Sequence, residues 1–82
     1  MSAARTLATM RSGERGRVAR VDVSPEVSRW LGALGIAPGT ALTLLRRGLW
    51  GGPLHLRSDA GAEFAIASSL AAEVVLADES AP

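Results

Sequence analysis

Along this chain the spacing of apolar side chains switches between the two-residue period of a half-buried strand and the three-to-four-residue period of an amphipathic helix. A turn at Gly13-Glu14-Arg15-Gly16 leads into a strand predicted over residues 17–23. Val18 and Val21 have opposite parities there, so a regular strand cannot aim both at one core. A bulge near Ala19-Arg20 resolves the conflict and helps a short strand curl. The period then lengthens. Val27, Trp30, Leu31 and Leu34 form one helical stripe, with Trp30 expected on its buried side. Ser24 stands at the N-cap, Pro25 at the first helical position, and Glu26 in the first turn, where the helix dipole favours an acid. Gly35 can end this helix in a left-handed conformation, and Ile36 supplies the apolar contact that accompanies such a stop.

Ala37-Pro38-Gly39-Thr40 has proline and glycine at the central positions of a type II turn. A second strand over 41–47 turns Leu42 and Leu44 inward. Gly48-Leu49-Trp50-Gly51-Gly52 separates it from a third strand over 53–58, where Leu54 and Leu56 alternate with His55 and Arg57. The fourth strand, over 62–66, takes its register from the rule that cross-strand partners share a face. Leu56 then opposes Phe64, Leu54 opposes Ile66, and Arg57 opposes Glu63 on the outer side. The connection is left as Asp59-Ala60-Gly61, with glycine at the left-handed position that three-residue hairpins favour. A helical turn over 67–72 and a last strand over 73–76, closing against the first, complete the order. The expected fold is mainly β: a small five-stranded SH3-like barrel with one α-helix after the first strand and a helical turn before the fifth. Residues 1–82 read as a single domain, ordered over about 7–76, with a polar tail at 77–82 that frays.

Composition then narrows the function classes. A chain of 82 residues holds one core. It has no cysteine, so no disulfide staples the fold and no thiolate holds a metal. The opening residues lack a secretory signal pattern, and no apolar run approaches the ~20 residues that span a bilayer. A soluble, cytoplasmic protein without direct membrane insertion is expected. The nine basic residues, all arginine, meet eight carboxylates and are dispersed among them, which argues against a nucleic-acid partner. Catalysis finds no support. His55 is the lone histidine, no serine is predicted beside it, and the carboxylates are scattered over turns and edges. A barrel this small is filled by its own side chains.

The succession of motifs resembles the FeoA family from about Leu7 to Leu76. The residues that carry the resemblance are Leu7 and Met10 ahead of Gly13-Glu14, then Gly16, Val18 and Val21. Leu31, Leu34-Gly35-Ile36 and Pro38-Gly39 follow, then Gly51-Gly52-Pro53-Leu54, and last Phe64-Ala65-Ile66 with Ser69-Leu70-Ala71. The resemblance implies a non-enzymatic, cytoplasmic accessory protein of bacterial ferrous iron uptake. Such a protein needs no cofactor and modulates the FeoB-type membrane permease by protein–protein contact with its GTP-binding cytoplasmic part. Related SH3-like modules end iron-dependent repressors, but this chain has no room for a DNA-binding domain.

Four residues form the candidate partner-binding segment: Leu49, Trp50, Gly51 and Gly52. An indole at a hairpin tip either folds back on the barrel wall or meets a partner, because exposure to water is costly and tryptophan is enriched at binding hot spots. The sequence leaves both open, and leaves self-association into a homo-oligomer open as well. His55 and Glu63 are the candidate metal ligands, diagonal neighbours on adjacent strands, although a solvated surface histidine is the simpler expectation. Two ligands make an incomplete site, so any divalent zinc or iron would be weakly held. A metal sensor or delivery module is the alternative function, and a nucleic-acid-binding barrel the second alternative. Arg46, Arg47, Arg57, Arg17 and Arg20 could gather into a basic patch, although a solvated surface is the simpler expectation.

Overall fold

The parity conflict in the first strand is resolved as its side chains require. In the computed structural model, which describes residues 5–77, β1 (Arg15–Val21) runs antiparallel to β5 (Val74–Leu76). Val18 pairs with Leu76 and Arg20 with Val75, so Ala19 is the extra residue of a bulge. The remaining strands are β2 (Ala41–Arg47), β3 (Leu54–Ser58) and β4 (Glu63–Ile66), and the sheet order is β4-β3-β2-β1-β5. The sheet curls into the expected SH3-like shape, but no ladder joins β4 to β5, so the barrel stays open at that seam. β5 is flanked on its other side by the incoming chain. Thr6 bridges Val75, and the Leu76 N–H donates to the Arg5 carbonyl at 2.8 Å.

The strand begins earlier than predicted. Arg15 and Gly16 already pair with Thr43 and Leu42, so Gly16 is not a turn residue. A Cβ there would come within 3.0 Å of Leu76 Cδ1, and glycine lets β1 lie close over that side chain.

α1 (Pro25–Leu34) has the predicted ends. Ser24 Oγ accepts the Val27 N–H at 3.3 Å, and the Ile36 N–H donates to the Leu31 carbonyl at 2.9 Å across a left-handed Gly35. Leu31 is fully buried, whereas Trp30 is 53% exposed, contrary to expectation. Successive residues are about 100° apart around a helix. With Leu31 aimed at the sheet, Trp30 falls at the margin of the stripe, and only Val27 and Leu34 join Leu31 in partial cover.

Leu42 and Leu44 of β2, Leu54 and Leu56 of β3, and Val74 of β5 fill the interior with Leu31 and Ile36. One end is closed by a 3-10 turn over Leu7–Thr9, which the hydrophobic pattern alone does not predict, and which sets Leu7 and Met10 in the core. Arg47 holds that turn by donating to the carbonyls of Ala8 and Met10. The predicted helical turn is α2 (Ser68–Ala71). Ala77, expected in the frayed tail, donates its N–H to the Arg17 carbonyl at 2.8 Å; the rest of that tail lies outside the described residues. No helix among the described residues is long and apolar enough to cross a membrane.

Candidate functional site: the β2–β3 tip

β2 and β3 pair up to Arg47 and Leu54, and the Gly48 N–H then donates to the Pro53 carbonyl at 2.8 Å. Beyond that bond the chain has to turn inside a very narrow neck. A Cβ on Gly48 would stand 3.0 Å from the Gly52 Cα, and one on Gly52 would stand 3.0 Å from the Leu49 carbonyl oxygen. Both obstacles are backbone, which cannot swing aside, so glycine is a packing requirement on both sides of the neck. The tip above it is a tight turn over Leu49–Gly51 with positive φ at both Trp50 and Gly51, closed by a Gly52 N–H bond to the Leu49 carbonyl at 3.0 Å. Ser68 Oγ, from α2, donates to the Gly51 carbonyl at 2.9 Å and ties the tip to the body.

Within this pinned backbone Trp50 has φ 58° and ψ 41°, the one positive φ at a non-glycine residue among those described. A left-handed conformation costs an L-residue roughly 1–2 kcal/mol. Trp50 is 99% exposed and Leu49 84%. Of the two readings the sequence left open, the structure adopts projection. Gly51 and Gly52 shape the tip, and Leu49 and Trp50 are the side chains it presents.

Below the tip, β2 carries a second bulge at Leu45, since Leu44 pairs with Leu56 and Arg46 with His55. His55 in turn pairs with Ala65, and Arg57 with Glu63, as the predicted register requires. Glu63 is therefore the diagonal neighbour of His55, but the described residues contain no group of three or more histidine, cysteine, aspartate or glutamate side chains able to hold a metal. Arg46 and Arg57 lie on the same outer face as His55, one across the ladder and one two residues along, a setting unfavourable to a cation.

The five arginines considered as one patch do not gather. Arg47 is spent on the N-terminal turn, Arg17 donates to the Gly39 carbonyl at 2.8 Å, and Arg20 pairs with Asp22 at 3.0 Å. Arg15 makes a two-pronged contact with Asp59 at 2.7 and 3.3 Å. Those hydrogen bonds hold the Asp59 carboxyl below its ordinary range, aided by the charges of Arg15 and Arg17 and opposed by desolvation. Glu14 is lowered likewise, first by the Arg11 backbone N–H and then by Arg5, with desolvation opposing.

The family model described as FeoA domain matches residues 5–77. No curated protein matches the sequence. An iron uptake regulatory protein (FeoA) superposes with a TM-score of 0.79 at 25% identity, covering 93% of this chain and 97% of its own. FeoA of Stenotrophomonas maltophilia, solved with zinc and described as a candidate ferrous iron transport activating factor, superposes with a TM-score of 0.75 at 27% identity, covering 90% of this chain and 91% of its own. A manganese-dependent transcriptional repressor complexed with manganese gives a TM-score of 0.80 at 29% identity, covering 94% of this chain but only 37% of that one.

Proposed function

The chain belongs to the FeoA domain family, and from that premise we propose that it is a cytoplasmic, non-enzymatic accessory protein of bacterial ferrous iron uptake that docks on the FeoB-type permease through Leu49 and Trp50. The family's link to ferrous iron transport supports the setting. One observation carries the docking reading: a fully exposed tryptophan held in a left-handed conformation on a braced tip. Free in solution, that arrangement is unfavourable twice over, in backbone strain and in hydrated indole. Buried in a partner's slot, a tryptophan of this kind is worth about 2–4 kcal/mol when truncated. The reading requires no cofactor, since transport is assigned to the permease. Metal delivery is the weaker alternative, because His55 and Glu63 have no third ligand among the described residues and arginines flank the histidine.

The test is a pull-down on the permease's soluble cytoplasmic part, without nucleotide and with GDP or a GTP analogue. Wild-type protein should be retained and Trp50→Ala retained at least tenfold less. Wild-type protein that is never retained in any nucleotide state would remove the direct-contact reading.

A further inference from the structure

The hairpin that carries the apolar tip also carries uncommitted positive charge. Arg46 on β2 and Arg57 on β3 flank His55 on one outer face, both are exposed, and neither makes a hydrogen bond or ion pair among the described residues. Arg5, Arg15, Arg17, Arg20 and Arg47 are all engaged elsewhere. Across β2, β3 and β4 the single carboxylate is Glu63, opposite Arg57, so the face keeps a positive balance. One continuous ladder thus presents two apolar side chains at its end and two arginines below them.

We propose that Arg46 and Arg57 are the basic half of a docking surface whose apolar half is Leu49-Trp50, and that the partner it fits is an acidic protein surface bordering an apolar slot. This rests on the reading of the tip as the docking point and adds the chemistry of what it meets. Charge complementarity selects an acidic surface, and arginine is the cation best suited to it because its planar fork meets carboxylates two bonds at a time. Anionic lipid offers the same charge but fits less well. Even a whole acyl chain binds a membrane only marginally, and two side chains insert less apolar surface than that. A protein slot, by contrast, removes the indole from water on every side and leaves the arginines at a polar rim.

Binding of the full chain to the permease's soluble cytoplasmic part, measured by surface plasmon resonance at low and high salt, tests this against vesicles of phosphatidylglycerol. The variants are R46E/R57E, Trp50→Ala and, as a control on α1, Arg29→Glu. The double reversal should weaken binding about tenfold or more, mainly through slower association, and should flatten the salt dependence seen with wild type. Arg29→Glu should bind as wild type does, and melting curves should show all variants folded. Unchanged binding by the double reversal, with loss in Trp50→Ala, would overturn the acidic-partner inference while leaving the tip as the docking point. Absence of wild-type binding to the permease part would overturn both. Vesicle binding abolished by the double reversal, without binding to the permease part, would overturn the inference in favour of a lipid surface.

Discussion

At its C-terminal end β3 passes into β4 through Asp59-Ala60-Gly61; at its N-terminal end it is reached from β2 through Gly48-Leu49-Trp50-Gly51-Gly52. The first connection puts glycine where φ is +94° and secures its flanks. The Ser58 N–H donates to the Ala62 carbonyl at 2.9 Å, Ser58 Oγ accepts the Ala62 N–H at 3.3 Å, and Asp59 is gripped by Arg15. The second puts a tryptophan at φ 58° with a glycine next to it, and leaves its side chain in water. Both connections hang from one strand, each at the end of its own ladder. What separates them is that every local preference is met in one, while the other keeps a strained aromatic on a carefully braced backbone. Strained residues of that kind cluster at sites of function, which is the ground on which the tip is proposed as a docking point.

The difference can be pressed from the strand outward. Leu56→Ala empties a fully buried position between the two hairpins and should cost about 2–5 kcal/mol in chemical denaturation, loosening both ends together. Gly52→Ala should act on one end only. Its Cβ meets backbone at the neck, so a loss of about 1–3 kcal/mol is expected, with amide shifts in NMR spectra concentrated in 48–53 and absent from 59–61. The two left-handed positions should respond with opposite signs. Gly61→Ala should lower stability by about 1 kcal/mol, and Trp50→Gly should raise it by about 0.5–1 kcal/mol while partner binding is lost. A destabilised Trp50→Gly would show that the indole supports the fold and would end the distinction between the hairpins.

The smallest effect concerns acid. Asp59 is held below its ordinary value of 3.8, so its pairing with Arg15 stabilises the fold above that value and is lost as pH falls through the lowered one. Asp59→Asn should therefore lower stability slightly at neutral pH, by no more than an exposed pair contributes, and flatten the acid limb of a thermal-stability profile, so that the two profiles converge as the carboxyl is protonated.

The β3–β4 hairpin was legible because loop chemistry, apolar pairing and charge placement all demanded one register. The Ala19 bulge was legible because Val18 and Val21 could not otherwise face one core. At Leu45 the trace lay in a charge and not in the apolar pattern: Arg46 shares the parity of Leu42 and Leu44, and the bulge turns it outward beside His55. Trp30 misled because helical spacing gives the width of an apolar stripe but not the width of the surface that covers it. Gly16 misled because a glycine admitted for close approach looks the same as one admitted for a turn. At the tip, the residues stood out in the sequence but their exposure did not. It follows from a neck formed by Gly48 and Gly52, which lie close across the hairpin, and from Ser68, which reaches Gly51 from a distant element. Arg46 and Arg57 stand out as a pair through the engagement of Arg47, Arg17 and Arg20 elsewhere, which the sequence does not show.

The segment at Arg5 and Thr6, lying along the outer side of β5, bears on how copies of this protein can meet. A sheet open on two sides is a template that can be extended without limit, the geometry of filaments and amyloid. Here one side is occupied by the molecule's own chain, and among the described residues β4 is the border that remains. Two copies joined through β4 would use up both available borders at once. Growth by that route stops at a two-fold symmetric pair, and extension of the sheet at its other side is blocked by the backbone of Arg5 and Thr6.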